Sequence, residues 1–142
     1  VAPSSQIAQH PTAPNQLEQT AFTQINQHRA RIGLPTLTWN DTLAEIARIH
    51  SQNMAHGRIA FGHDGFDERF QEIGRRIRPS YVGENVASNT YDDPAATAVS
   101  GWLNSPGHRA NIENRSFQQS AIGVAQGSDN EYFFTQLFIG NP

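Results

Sequence analysis

Gly101-Trp102-Leu103-Asn104-Ser105-Pro106-Gly107-His108-Arg109-Ala110-Asn111-Ile112 packs an aromatic, a helix stop, an imidazole and a guanidinium into one short run. Trp102 and Leu103 close the apolar face of a helix. Ser105-Pro106-Gly107 is expected to break it, because proline cannot continue a helix and glycine readily takes left-handed angles. His108 and Arg109 are therefore expected on a turn beside a buried anchor, where a rigid scaffold carries a site. Upstream, Asp92-Asp93-Pro94 starts the helix, with an acidic cap and a proline in the first turn.

Downstream the period changes. The run from Ala121 to Gln126 and the run from Glu131 to Ile139 are apolar, with β-branched and aromatic residues, and Gly127-Ser128-Asp129-Asn130 lies between them. This is a hairpin pattern with a four-residue loop. Towards the N-terminus, Leu17, Ala21, Ile25 and Ile32 recur at helical spacing until Gly33. Leu37 and Trp39 alternate with threonines as a short extended piece. Asn40 or Asp41 caps a second helix whose Leu43, Ile46, Ala47, His50 and Met54 share a face until Gly57. Asp67 is read as the cap of a short third helix carrying Phe70, Ile73 and Ile77. Tyr81-Val82-Gly83-Glu84-Asn85-Val86-Ala87 reads as extended. Helices before and around strands imply an α+β domain in which helices cover an antiparallel sheet.

Residues 1–14, rich in Pro, Ser, Gln and Ala, have neither helical nor strand period and read as a flexible leader, leaving residues 15–142 as one domain. The leader has no basic start and no apolar core, so it is not itself a signal peptide; a start at Val-Ala-Pro-Ser-Ser is compatible with a signal already removed. A net charge of -3 and a pI near 6.0 provide no electrostatic basis for a nucleic-acid partner. No apolar run reaches the roughly 20 residues needed to span a membrane. The chain has no cysteine, which excludes disulfides, thiol nucleophiles and thiolate metal sites, and all 10 basic residues are arginine, which excludes Schiff-base chemistry on lysine.

Three polar residues stand out by their setting: His63 between glycines, Glu84 after Gly83, and His108 after Gly107. Two imidazoles and a carboxylate suit a divalent transition metal or an acid–base pair. Spacing alone favours histidines that make structural hydrogen bonds. His10 falls in the leader, His28 is expected to face solvent or a helix neighbour, His50 is read as a core histidine, and His56 lies at a helix end. Ser51, Ser88, Ser100 and Ser105 lie in no recognisable activating turn. Arg75, Arg76 and Arg78 read as a solvated, ion-paired surface near Asp67, Glu68 and Glu72. Arg109 and Asn111 are expected to brace the turn, and Trp102 to be core.

The chain resembles the CAP superfamily, also called SCP-like (cysteine-rich secretory proteins, antigen 5 and pathogenesis-related class 1 proteins), in its short, cysteine-free bacterial form. The resemblance covers about residues 15–140. It rests on ordered motifs: His50-Ser51-x-Asn53-Met54-Ala55, Phe61-Gly62-His63-Asp64-Gly65, Gly83-Glu84-Asn85-Val86-Ala87, the run from Trp102 to Ile112, Gly123-Val124-Ala125, and Tyr132-Phe133-Phe134-Thr135-Gln136-Leu137-Phe138. It implies a three-layer α-β-α sandwich with a central antiparallel sheet, secretion, and a cleft lined by two histidines and two acids. His63, Glu84 and His108 match the first histidine, first glutamate and second histidine. Where the second acid is expected, the chain reads Leu103-Asn104-Ser105. The resemblance further implies that His63 and His108 can hold a divalent metal, zinc above others. The reading is thus a secreted or extracytoplasmic module binding a lipid, a cell-wall component or a protein through this cleft. Its rivals are a metal-dependent, peptidase-like hydrolase using His63, Glu84 and His108, and a structural domain whose polar cluster only holds sheet to helices.

Overall fold

The structure, a computed structural model, describes residues 13–141. Helix α1 (Pro14–Arg31), strand β1 (Thr38–Trp39), helix α2 (Asp41–Ala55), helix α3 (Phe66–Arg76), strand β2 (Tyr81–Asn89), helix α4 (Pro94–Leu103), helix α5 (Pro106–Ile112), strand β3 (Gln119–Gln126) and strand β4 (Tyr132–Gly140) follow in order. The sheet order is β1-β3-β4-β2. Its three long strands are antiparallel, and the two-residue β1 joins β3 in parallel at the rim.

Strand alternation separates two cores. On one face Ala121, Leu137 and Ile139 meet Leu43, Ala44, Ile46 and Ala47 of α2 and Ile73 of α3. On the other, Ile122, Val124, Phe134 and Phe138 meet α1 and α4 through Leu17, Ala21, Ile25, Ala98, Val99 and Trp102. The result is the expected α-β-α sandwich. Helix α2 lies so close that a Cβ on Gly123 would stand 2.2 Å from the Arg48 backbone nitrogen and 2.5 Å from the Ala47 carbonyl carbon. Ser51 strengthens the same contact by donating to the Gly123 carbonyl at 2.8 Å.

Several local expectations are refined. Asn40, not Asp41, caps α2, its side-chain oxygen accepting from Leu43 N–H at 3.0 Å. The first helix opens at Pro14, in its favoured first-turn place, one residue earlier than expected, and residues 1–12 of the leader lie outside the described residues. Ile32 is not on its buried stripe: it follows the last helical residue and is 44% exposed. Gly65, at φ 81°, precedes α3, so Asp67 sits in the first turn rather than at the cap. In the hairpin, Asp129 and Asn130 take positive φ and Gly127 N–H closes on Glu131 O at 2.7 Å. The largest revision concerns Ser105-Pro106-Gly107. It ends α4, but Pro106 then opens α5, so His108 and Arg109 stand in a short helix rather than on a turn.

Candidate functional site

The free side of β2 organises the site. The Gly127–Glu131 bond makes the odd residues of β3 and β4 the hydrogen-bonded pairs, so β4 uses its even residues towards β2, and their partners there are odd. Val82, Glu84, Val86 and Ser88 therefore turn their backbone N–H and C=O groups outward. Two of these carbonyls are covered: Asn111 Nδ2 donates to Glu84 O at 3.3 Å and Trp102 Nε1 to Val86 O at 3.0 Å. Side chains alternate across the strand, so Glu84 enters the layer of α2 and α3 while Asn85 enters that of α4 and α5.

On the first side, His63 Nδ1 lies 2.9 Å from Glu84 Oε1. Arg69 of α3 grips the same carboxylate with both arms of its fork, Nε to Oε2 at 2.5 Å and Nη2 to Oε1 at 2.7 Å. The Glu84 side chain is 1% exposed, that of Arg69 11% and that of His63 53%. Arg69 also donates to the Asp64 carbonyl at 2.8 Å and to His50 Nδ1 at 3.1 Å. With Nδ1 accepting, His50 carries its proton on Nε2 and donates it to Gly62 O at 2.8 Å. Burial, more than the nearby Arg69 charge, lowers the His50 pKa and keeps the ring neutral. Since carboxylate Oε1 can only accept, His63 donates from Nδ1 and, when neutral, presents the bare Nε2 lone pair towards solvent.

On the second side, His108 Nδ1 lies 2.8 Å from Ser105 Oγ. Ser105 precedes α5 but its hydroxyl makes no cap bond, being spent on the imidazole instead. Here is the residue that stands against His108 where the resemblance puts a second acid. Asn85 Nδ2 donates to His108 O at 3.2 Å, and Asn111 Nδ2 bonds Asn85 Oδ1 at 2.9 Å, fixing α5 to the strand. Burial chiefly, and the charge of His63 secondarily, lower the His108 pKa. The two histidines thus approach β2 from its two sides within electrostatic reach of each other.

The three expected residues are therefore placed unequally: His63 and Glu84 are bonded, whereas His108 pairs with Ser105. The remaining histidines are also placed. His50, set aside as core, is buried as expected and joins the network. His28, expected at solvent or against a helix neighbour, is instead buried and 2.7 Å from Glu113 across the domain. His56 closes α2 and His10 lies outside the described residues. Arg109 reaches the Leu103 carbonyl at 3.3 Å and Glu113 at 2.9 Å. Arg69 was missed. Its signal was position, since Arg69 lies one helical turn before Ile73, the buried residue of α3, and so shares its face.

The donor set does not make a three-ligand metal site. Both oxygens of Glu84 are held by Arg69 and His63, and the guanidinium places positive charge where a cation would sit. Among the described residues no three His, Asp or Glu side chains form a group able to hold a metal ion. Two imidazole nitrogens remain.

A sandwich of this build, with a carboxylate-braced imidazole at the open edge of its sheet, defines a class of cleft-bearing domains. The profile of the Cysteine-rich secretory protein family (CAP) matches residues 22–138, and the chain belongs to that family. It is 36% identical over 119 residues to the Bacillus subtilis protein described as "Uncharacterized membrane protein YlbC", a match covering 80% of this chain and 32% of that protein. A Bacillus anthracis extracellular protein containing an SCP domain superposes with a TM-score of 0.74 at 33% identity, over 93% of this chain and 45% of the other. An outer surface protein of Borrelia burgdorferi shares the fold at a TM-score of 0.76 and 22% identity, over 94% of this chain and 98% of the other. The chain spans a third to a half of the Bacillus proteins it matches.

Proposed function

We propose that this CAP domain is an extracytoplasmic binding module that captures a partner through the two sides of β2, without needing a metal. The commitment of Glu84 carries this reading: with both carboxylate oxygens bonded to Arg69 and His63, it braces an imidazole rather than activating water or ligating a cation. What the site offers a partner is the Nε2 edge of His63 and the His108 ring, each backed by a fixed neighbour. A place outside the cytoplasm is supported by the Bacillus anthracis relative, which is an extracellular protein. The test is a titration of the labelled protein with peptides, muropeptides and lipid vesicles, read on the imidazole signals of His63 and His108. One class of probe should move both, and His63→Ala/His108→Ala should weaken it at least tenfold; a folded protein whose imidazoles respond to none of the three overturns the reading. Zinc titration by calorimetry should show no tight one-to-one binding.

A second reading, hydrolysis, draws on the Ser105–His108 pair, with Ser105 as nucleophile and His108 as base. Among the described residues His108 has no carboxylate bonded behind it. Covalent labelling of Ser105 by a fluorophosphonate would favour this reading, and an unlabelled Ser105 would sink it.

A further inference from the structure

Resting on the binding reading, we propose that the partner is an extended polypeptide that docks as an added strand along the outer edge of β2 from Val86 to Asn89. The covering side chains stop at Val86, whose carbonyl takes Trp102 Nε1. Beyond it, the outward N–H and C=O of Ser88 have no partner among the described residues, and Val86 keeps an outward N–H. With the Val86 carbonyl taken, the free groups are the Val86 N–H and the N–H and C=O pair of Ser88, which have the two-residue spacing that the backbone of another extended chain matches.

The space beside this edge has the right form. A cleft of about 320 Å³ runs along it, between Phe61 on the α2 side and Thr97, Gly101 and Trp102 of α4, and ends at Ser105 and His108. Phe61 is 54% exposed and Tyr91, at the far end, 68% exposed, the largest exposure of any big hydrophobic side chain among the described residues. A Cβ on Gly101 would meet nothing within 4 Å, so α4 leaves the cleft open where a side chain would narrow it. An added strand would place alternate side chains against Phe61 on one side and against α4 on the other, and would lead one end of the peptide to His108.

Two variants separate this docking from a general effect on the fold. Ser88→Pro deletes the outward N–H while sparing the bonds to β4, which use the odd residues. Gly101→Leu fills the cleft from an exposed helical position where leucine is the better helix former. Peptides selected on the wild type from a phage-displayed random library are the probe, with affinity measured by calorimetry and the Ser88 amide followed by NMR. We expect selected peptides to shift and protect the Ser88 amide, and both variants to weaken them at least tenfold while retaining native spectra. Should Ser88→Pro not fold, Gly101→Leu alone decides. Selected peptides that bind Gly101→Leu as tightly as wild type, or a library that yields none, overturn the inference. A muropeptide or vesicle that moves His108 but not the Ser88 amide refutes the strand docking and leaves the binding reading standing. Silence of both imidazoles to every probe removes both.

Discussion

Replacing Arg69 with methionine tests the central feature of the site. The variant keeps the aliphatic stem but strands the Glu84 carboxylate, 1% exposed, with His63 as its remaining partner. It also removes the donors to Asp64 O and His50 Nδ1. Were the pair exposed, its loss would cost about 0–1 kcal/mol. Burial decides otherwise: breaking a buried ion pair from one side costs about 3–5 kcal/mol, and the slight exposure of Arg69, 11%, favours the lower end, about 3 kcal/mol. For a domain of this size that corresponds to a fall in Tm of about 10–15 °C. Urea unfolding of Arg69→Met, Glu84→Gln and the double variant closes a thermodynamic cycle. The double variant should be more stable than Arg69→Met, because no buried charge is left alone, with a coupling of about 2 kcal/mol. A loss below about 1 kcal/mol in Arg69→Met, with coupling near zero, would refute the claim that this is a buried clamp.

Gly123→Ala should destabilise by more than about 2 kcal/mol in urea unfolding, since its Cβ would stand 2.2 Å from the α2 backbone and neither element can yield cheaply. Arg29, 1% exposed, donates to the carbonyls of Pro35, Ile112, Asn114 and Phe117; Arg29→Met removes all four donations, leaves Asn114 O its bond from Phe117 N–H, and should cost about 3 kcal/mol or more by the same assay. His50 and His108 should both titrate below the ordinary histidine value near 6.5 in an imidazole NMR titration, and a value at or above it for either would contradict the burial argument. With folded pKa values depressed, the unfolded chain takes up these protons first as pH falls. Stability is therefore fully present above about pH 6.5 and declines as pH drops through the folded values, and His50→Gln should flatten that decline.

Much of the architecture was written in local sequence. The apolar spacing of α1 and α2, a cap at Asn40 or Asp41, the proline start of α4 and the β-rich pair of runs all follow from interactions within a few residues, which a chain specifies by itself. Trp102 was legible as core because it shares the α4 stripe with Val99, and it is 2% exposed. His63 and Glu84 were legible from their motifs, though the bond between them was not. Tertiary structure alone decided that Arg69 occupies the carboxylate, that Ser105 rather than an acid meets His108, and that the open edge of β2 continues past Trp102. Arg69 and Glu84 are 15 residues apart and lie on different elements, so their meeting depends on the angle of α3 over the sheet. Which backbone groups of β2 face outward depends on the register with β4. Neither quantity has a local period, and both are set only when the two cores pack.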